Sequence, residues 1–533
     1  MTTAVSIVLP EQVAWQPKVN PWIIGVTVSM AAFLEVLDTS IANVALPYIA
    51  GNLGASYDDS TWVLTSYLAA NAIILPISGW LAEVIGRKRY FLLSLILFTV
   101  SSLLCGLAPS LPMLLLFRAI QGVGGGGLQP MAQAILNDSF PPEKRGLAFA
   151  LYGITAVLAP TIGPMLGGWI TDDYSWRWIF FIKIPVAALA LYLTYALVED
   201  PPSLRRIKGA GIRVDYIGIA MLTLGVGSLQ VLLDKGQEDD WFGSHFIATL
   251  AITAGICLTA LVIWEWYRKE PIIDVRLFKN FNFAAANLMM FMMGVMLFST
   301  LVMIPEFLQT LMGYTAELAG LVLSASGLVL LLMMPIVGRL TTVVQSRYLI
   351  AAGWLALACG LYYSAYRTDL LISFPFAMWL RIVQVIGIGF LFVPITMAGY
   401  IGVPAEKGNS VSGLVNFMRN IGSSIGTSIV TTMIVRRAQY HQQILVGHLT
   451  SDSPAFRSAF QALTAKIAHS GLSYADARNQ AIARLYGLVN RQSHTLAYLD
   501  TFWVLAALCA ILFVLALFLK RNDPGAGGNV AVG

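Results

Sequence analysis

Fourteen apolar stretches restrict what this chain can fold into more than any other feature. They lie near 22–46, 61–84, 90–108, 112–136, 146–170, 176–198, 214–234, 246–266, 283–305, 315–338, 348–366, 375–399, 408–434 and 498–520. A bilayer core takes about 20 helical residues to cross, and inside it only helices and closed barrels satisfy their backbone groups. Runs this long and continuous, without strict alternation, select helices. The 533 residues are 57% hydrophobic and 11% charged, where soluble domains carry about 25% charged residues. The expected fold class is therefore an all-α polytopic membrane protein. The net charge of +5 resides in loops and carries no nucleic-acid signal. The first 20 residues lack the basic start, apolar core and small-residue cleavage site of a signal peptide, so the first span is expected to insert uncleaved.

Basic residues set the expected orientation. Alternate loops hold Arg87, Lys88 and Arg89; Lys144 and Arg145; Arg205, Arg206, Lys208 and Arg213; Arg268, Lys269, Arg276 and Lys279; Arg339 and Arg347; and Lys407. The short loops between them hold Arg177, Lys235 and Arg367 and are acidic, with Asp58, Asp59, Asp172, Asp173, Glu238, Asp239 and Asp240. Both termini are expected on the cytoplasmic side. The four cysteines lie in apolar spans without metal or redox spacing, and the five histidines lie outside the spans, so neither metal chemistry nor a histidine proton path is expected.

Residues 435–497 form one long polar segment on the outer side. Ser453-Pro454 reads as a helix start, Gly471 as a stop, and Ser473 with Asp476 as a capping box for a second helix. The segment is expected either as a helical hairpin resting on the outer face or as a docking element for a partner protein.

The chain repeats at an offset near 260. Arg118-Ala-Ile-Gln121 with Gly124 recurs as Arg381-Ile-Val-Gln384 with Gly387, and Pro76-Ile-Ser-Gly79 as Pro335-Ile-Val-Gly338. Pro141-Pro-Glu143-Lys144 recurs as Pro404-Ala-Glu406-Lys407, and Gly163 aligns with Gly426. The expected organisation is a cytoplasmic segment 1–21, a six-helix bundle 22–198, two inserted spans with linkers 199–282, a second six-helix bundle 283–520 containing loop 435–497, and a tail 521–533. Two parallel halves of six spans are the plan of major facilitator transporters, with a substrate site near mid-membrane between them.

Polar residues inside the spans are the candidate machinery. Glu35 and Asp38 sit in the first span, three apart and on one helix face. A carboxylate at membrane depth costs a few kcal/mol and marks function, and two so close are not expected to ionise together. Arg118 in the fourth span needs a counter-charge, for which Glu35 and Asp38 are the candidates. Gln121, Arg381, Asn416 and Arg419 are further polar candidates. Glu306 is open between a substrate or proton contact and a headgroup-level position. Lys183, near the start of the sixth span, is expected to snorkel to the interface. Met289, Met290, Met292 and Met293 suit either packing or a broad apolar site.

Gly79, Glu83, Gly86 and Arg87 bridge spans two and three, where Gly86 allows a turn with positive φ. Arg87 can pair with Glu83, Asp138 or Glu143 in a cluster that locks one conformation. Pro160, Gly163, Pro164 and Gly167 suit a kinked, closely packed helix, a hinge or seal between the halves. The run Gly122-Val-Gly124-Gly-Gly-Gly127 fits G-x-G-x-x-G, but no strand precedes it, so close helix packing is the reading taken.

These motifs resemble a known family. Leu37-Asp38-Thr-Ser-Ile-Ala-Asn43-Val-Ala-Leu-Pro47 is similar to the first-span signature of the fourteen-span drug:proton antiporters of the major facilitator superfamily. Gly79 to Arg89 resembles the superfamily's loop 2–3 motif, with Glu83 where Asp is usual. Arg118 to Gly122 resembles the span-four motif linked to proton coupling, and Gly163-Pro164 with Gly167-Gly168 the antiporter motif. Trp176 to Pro185 and Asn416 to Gly426 point to the EmrB-like branch, from which Lys183 departs, Asn being usual there.

The resemblance implies proton-coupled export of hydrophobic and amphipathic toxic compounds across the bacterial cytoplasmic membrane. It implies no cofactor beyond the proton gradient. In two-membrane bacteria it implies work with a periplasmic adaptor protein and an outer-membrane channel. In this reading Asp38, Glu35 and Arg118 couple the proton, and the span two–three and span five motifs govern the switch. Transport of one specific metabolite, or symport, is the alternative. A membrane enzyme is disfavoured, because no His-Glu-x-x-His or haem pair occurs, and the one Gly-x-Ser-x-Gly match, Gly422 to Gly426, lies inside an apolar stretch.

Overall fold

The computed structural model describes residues 17–201, 214–450 and 453–521. Arg205, Arg206, Lys208 and Arg213 lie outside them. Among the described residues there are eighteen α-helices and no strand. The first half comprises α1 (Pro21–Leu53), α2 (Tyr57–Ile85), α3 (Arg87–Leu107), α4 (Leu111–Gly125), α5 (Leu128–Ser139), α6 (Arg145–Asp173), α7 (Trp178–Phe181) and α8 (Lys183–Leu197). Then come α9 (Tyr216–Lys235) and α10 (His245–Tyr267). The second half comprises α11 (Phe281–Glu306), α12 (Ala316–Leu340), α13 (Ser346–Arg367), α14 (Phe374–Gly389), α15 (Phe392–Gly399), α16 (Gly408–Gly447), α17 (Pro454–Ala468) and α18 (Tyr474–Leu517).

Thirteen helical stretches among the described residues are long and apolar enough to cross a bilayer, with α4–α5, α7–α8 and α14–α15 each counting once. The stretch expected at 408–434 falls in α16. Its Asn409, Ser412, Asn416, Arg419 and Ser424 dilute its hydropathy, and all five are buried against other helices.

The sequence repeat is visible in the packing. α1 lies on α6 as α11 lies on α16, α2 on α4 as α12 on α14, and α3 on α4 as α13 on α14. Glycines make these approaches close. A Cβ at Gly122 would stand 2.4 Å from the Tyr67 carbonyl oxygen, and one at Gly124 2.6 Å from the Phe98 nitrogen. The glycine run is therefore a packing surface, as expected. Between the halves, α2 packs on α16 and α6 on α12, while α9 packs on both α2 and α16, with α10 outside it.

The halves meet most tightly at the end that carries the basic loops. A Cβ at Gly79 would stand 2.8 Å from the Ser410 backbone, and one at Gly146 2.5 Å from the Gly338 carbonyl oxygen. Phe149 stacks on Tyr400 there, with ring centroids 5.8 Å apart.

The polar segment 435–497 differs in extent from its sequence reading. Ser453 and Ser473 cap helices by accepting the amide N–H groups of Phe456 and Asp476, and Gly471 takes a φ of +95°. But α16 runs on to Gly447 and α18 begins at Tyr474. The expected helical hairpin is present, α17 packing on the start of α18 through Ile467, Ala477 and Ala481, but its second arm is continuous with the last span and α16 prolongs the preceding one. Asp500 of α18 pairs with Arg437 and His441 of α16 at 2.6 and 2.7 Å, and Arg491 donates to the Leu311 carbonyl at 2.5 Å.

Candidate functional site

Asp38 lies at the centre of a closed cluster in the first half. Its carboxylate pairs with Arg118 and with Lys183, and it accepts from the Gln121 amide at 3.1 Å. Arg118 also donates to the Val63 carbonyl at 3.0 Å and to Gln121 at 2.8 Å, and its guanidinium lies 4.4 Å over the Tyr67 ring. Asp38 and Arg118 are 0% exposed and Lys183 is 2% exposed. Of the two acids proposed to partner Arg118, the structure selects Asp38. Lys183 does not snorkel. Helix α7 precedes it, so the span starts at Trp178 and places Lys183 more than a turn inside, 5.0 Å from the Phe180 ring.

Glu35 has different company. Asn71 donates to its Oε1 at 2.9 Å, Tyr67 at 3.3 Å, and Gln129 to its Oε2. Gln129 in turn accepts from Arg419 of α16 and from Tyr152 at 2.8 Å. Asn416 donates to Gln133 at 2.8 Å, and Asn420 to Asn71 at 3.1 Å. Glu35 therefore reaches the second half through two hydrogen-bonded chains. Tyr67 joins the two acids' surroundings, its ring under Arg118 and its hydroxyl on Glu35. Tyr67, Asn71, Gln129, Gln133 and Tyr152 escaped sequence reasoning. The available signal was a polar amide or phenol within an apolar run, the same signal that flagged Gln121.

Between the halves lies a cavity of about 310 Å³. Glu35, Asn43, Asn71, Gln129 and Arg419 contribute polar groups, and Leu64, Leu68, Met293, Leu297 and Phe298 apolar ones. Asp38, Arg118 and Gln121 do not line it. Of the four methionines, Met289, Met290 and Met293 are buried, and Met293 alone of the four faces the cavity. Glu306, at the end of α11, is away from the cavity, beside Tyr498 and His494.

Arg381 occupies the place in α14 that Arg118 holds in α4. It donates to Thr300 at 2.8 Å and to Gln384 at 3.3 Å, where the first half has a carboxylate. The repeat has kept the arginine and glutamine and replaced the acid by a hydroxyl.

Gly79, Glu83, Gly86 and Arg87, half of the residues expected to govern the switch, lie at the basic-loop end. Arg87 pairs with Asp138 at 2.5 Å and donates to Asn409 of the second half at 2.7 Å. Of the three partners considered for Arg87, this selects Asp138. Glu83 instead faces Lys407, which pairs with Asp274 of the linker. Burial works to raise the Asp274 carboxyl, and Lys407 with Arg276 outweighs it, leaving that group below the usual carboxylate range. Gly86 has a φ of +95°, as its turn requires.

Helix α6 continues through Pro160 and Pro164. A proline at 164 cannot bond the Pro160 carbonyl, and the Ser40 hydroxyl donates to that oxygen at 3.3 Å. A Cβ at Gly163 would stand 2.3 Å from the Ser40 Oγ, and one at Gly167 3.1 Å from the Ile41 carbonyl oxygen. Gly163 and Gly167 thus pack against α1 in the same half. Pro160 faces the cavity and Thr161 meets Gly327 of the second half.

Comparison with known proteins settles the family. Residues 28–427 match the Major Facilitator Superfamily. The chain belongs to that superfamily. It is 37% identical to the multidrug export protein EmrB of Escherichia coli (strain K12) over 95% of this chain and 97% of that one. It is 34% identical to the fatty acid resistance protein FarB of Neisseria gonorrhoeae over the same shares. Among solved structures, the proton:xylose symporter XylE aligns with a TM-score of 0.60 at 13% identity, over 94% of this chain and 96% of that one. The human organic anion transporter MFSD10 aligns with a TM-score of 0.57 at 13% identity, over 94% and 100%. These two likenesses concern the fold. As a superfamily member the chain is a multi-pass transporter of the bacterial cytoplasmic membrane and not an enzyme. The Asp38 cluster and the Glu35 network both lie within the matched residues.

Proposed function

We propose that this transporter exports hydrophobic and amphipathic compounds in exchange for protons, as a multidrug efflux pump. The names of its relatives support the efflux reading. The observation that carries the proton coupling is the pair of buried acids in separate networks, one closed within the first half and one tied across the cavity. A proton on Asp38 would leave Arg118 and Lys183 without their counter-charge, which a dry interior tolerates poorly. Protonation there must be accompanied by helix movement. A proton on Glu35 would replace one accepted hydrogen bond by a donor, since a protonated carboxyl keeps less acceptor capacity. On Oε2 the donor that a proton would displace is Gln129, whose carbonyl oxygen holds Arg419. Protonation of Glu35 would then loosen the tie between the halves while substrate occupies the cavity.

In this reading α16 also crosses, as the thirteenth of fourteen spans, and both termini are cytoplasmic. A proton enters from outside as substrate leaves. The prolonged helices at 435–497 suit docking of a periplasmic adaptor that hands substrate to an outer-membrane channel. The test is transport-linked proton movement in proteoliposomes with an imposed pH gradient. Asp38→Asn and Arg118→Ala are expected to abolish coupled export. Unchanged coupling in Arg118→Ala would overturn the role of the cluster, and accumulation of substrate with the proton rather than against it would establish symport.

A further inference from the structure

We infer that Asp234, on the inserted helix α9, forms a subsite in the central cavity for the positive charge of amphipathic organic cations. The inference rests on the efflux reading and adds a substrate class and a recognition residue to it. Helix α9 is additional to the repeated halves, yet it wedges between α2 and α16. Its Gln230 exchanges hydrogen bonds with Ser424 of α16 at 2.9 and 3.2 Å. One turn further on, Asp234 enters the cavity wall together with Glu35 and Arg419.

The charged groups of this cavity differ in how well they are satisfied. Glu35 accepts three hydrogen bonds, and Arg419 is held by Gln129. Asp234 accepts from Gln230 at 3.0 Å on Oδ1 and is met by the Thr65 hydroxyl, with no cation in contact among the described residues. Its Oδ2 is buried and takes no hydrogen bond among the described residues. The neighbouring Lys235 acts on it only through space. That ammonium turns the other way, to the Asp58 carbonyl at 3.0 Å, to Thr61 and to Glu238 at 2.6 Å.

A carboxylate oxygen left bare in an apolar wall is costly unless a cation or donor meets it. The cavity supplies the rest of a site for an amphipathic cation, because Leu64, Leu68, Leu297 and Phe298 offer an apolar bed. Its volume suits a small drug-sized body, at the lower end of such sites. Because α9 also braces both halves, a cation on Asp234 would act on the surface along which they move.

The experiment uses the purified full-length protein and two probes of similar shape, tetraphenylphosphonium and the neutral triphenylphosphine oxide. Binding is measured by titration, and export is measured in proteoliposomes under a proton gradient. Asp234→Asn is expected to weaken tetraphenylphosphonium binding and export about tenfold or more, with the neutral probe changed less than twofold. Asp234→Glu, which keeps the charge, is expected to retain cation binding within a few fold, and its loss would overturn the subsite even if Asp234→Asn failed to fold. Equal losses for both probes, or none for either, would overturn it too. If wild-type protein neither binds nor exports either probe, the efflux reading falls with it. If the neutral probe is exported and Asp234→Asn treats the cation as wild type does, the subsite alone falls.

Discussion

A single carboxylate facing two cations is the unusual residue-scale fact of this molecule. Asp38, Arg118 and Lys183 set one acid against two bases, sealed from water, with the Val63 and Gln121 carbonyls accepting from Arg118 and the faces of Tyr67, Phe98 and Phe180 close by. Removing the shared anion should be costly, because a buried ion pair broken on one side loses about 3–5 kcal/mol. We therefore expect Asp38→Asn to lower thermal stability in detergent sharply and Lys183→Asn to lower it little. The double variant should recover part of the Asp38→Asn loss, since one of the two stranded cations is gone. Thermal unfolding of all four proteins gives the coupling, and additive losses would show that the Lys183 contact contributes nothing. The sequence exposed Asp38, Arg118 and Gln121 because each interrupts an apolar run. It concealed Lys183, since a lysine near a span's start ordinarily reaches the interface. What the sequence could not show is that the side chain turns inward to Asp38 and not back to the interface.

Elements were legible wherever a rule of local chemistry applied. The serine caps at 453 and 473 and the positive φ at Gly86 and Gly471 follow from residue type alone. The length of α16 and α18 was not legible, because polar surface beyond the membrane reads as loop although helices cross that boundary without interruption. Helix α6 shows a second limit. Its glycines announce close packing, but sequence does not say against which neighbour. The partner is α1, where Ser40 fills the bond that Pro164 cannot make. Gly163→Val should force Ser40 aside, removing that hydrogen bond and adding overpacking of about 1–3 kcal/mol. Ser40→Gly, which removes the Cβ at 2.5 Å as well as the hydroxyl, should restore room while leaving the Pro160 carbonyl bare. Measured melting temperatures should fall most for Gly163→Val and partly recover in the double variant. A Gly163→Val protein as stable as wild type would show that α6 has space here that the close contact denies.

At the scale of the whole molecule, two halves of similar plan close on each other at the basic-loop end and leave a cavity beyond it. The repeat in the sequence foretold the two halves, but not which end would be shut. That depends on long-range contacts such as Arg87 with Asn409, 322 residues apart. This end closes through backbone as well as charge. At Gly79 any side chain would enter the Ser410 backbone, so the closed arrangement needs the glycine, whereas a separated arrangement does not. A bulky residue there should shift the population away from closure, and a shift from mostly closed to mostly open requires only a few kcal/mol of differential cost. We expect Gly79→Leu to expose a cysteine placed at Ser410 to a water-soluble maleimide, and to protect one placed at Thr427 on the cavity wall. Arg87→Ala should do the same to a smaller degree, since it removes the ion pair with Asp138 and the bond to Asn409 but leaves the helices able to touch. If Gly79→Leu changes neither rate while substrate export continues, closure at this end does not pass through the α2–α16 contact. The hinge would then have to be sought in other pairs that join the halves, such as α6 with α12 and α5 with α16.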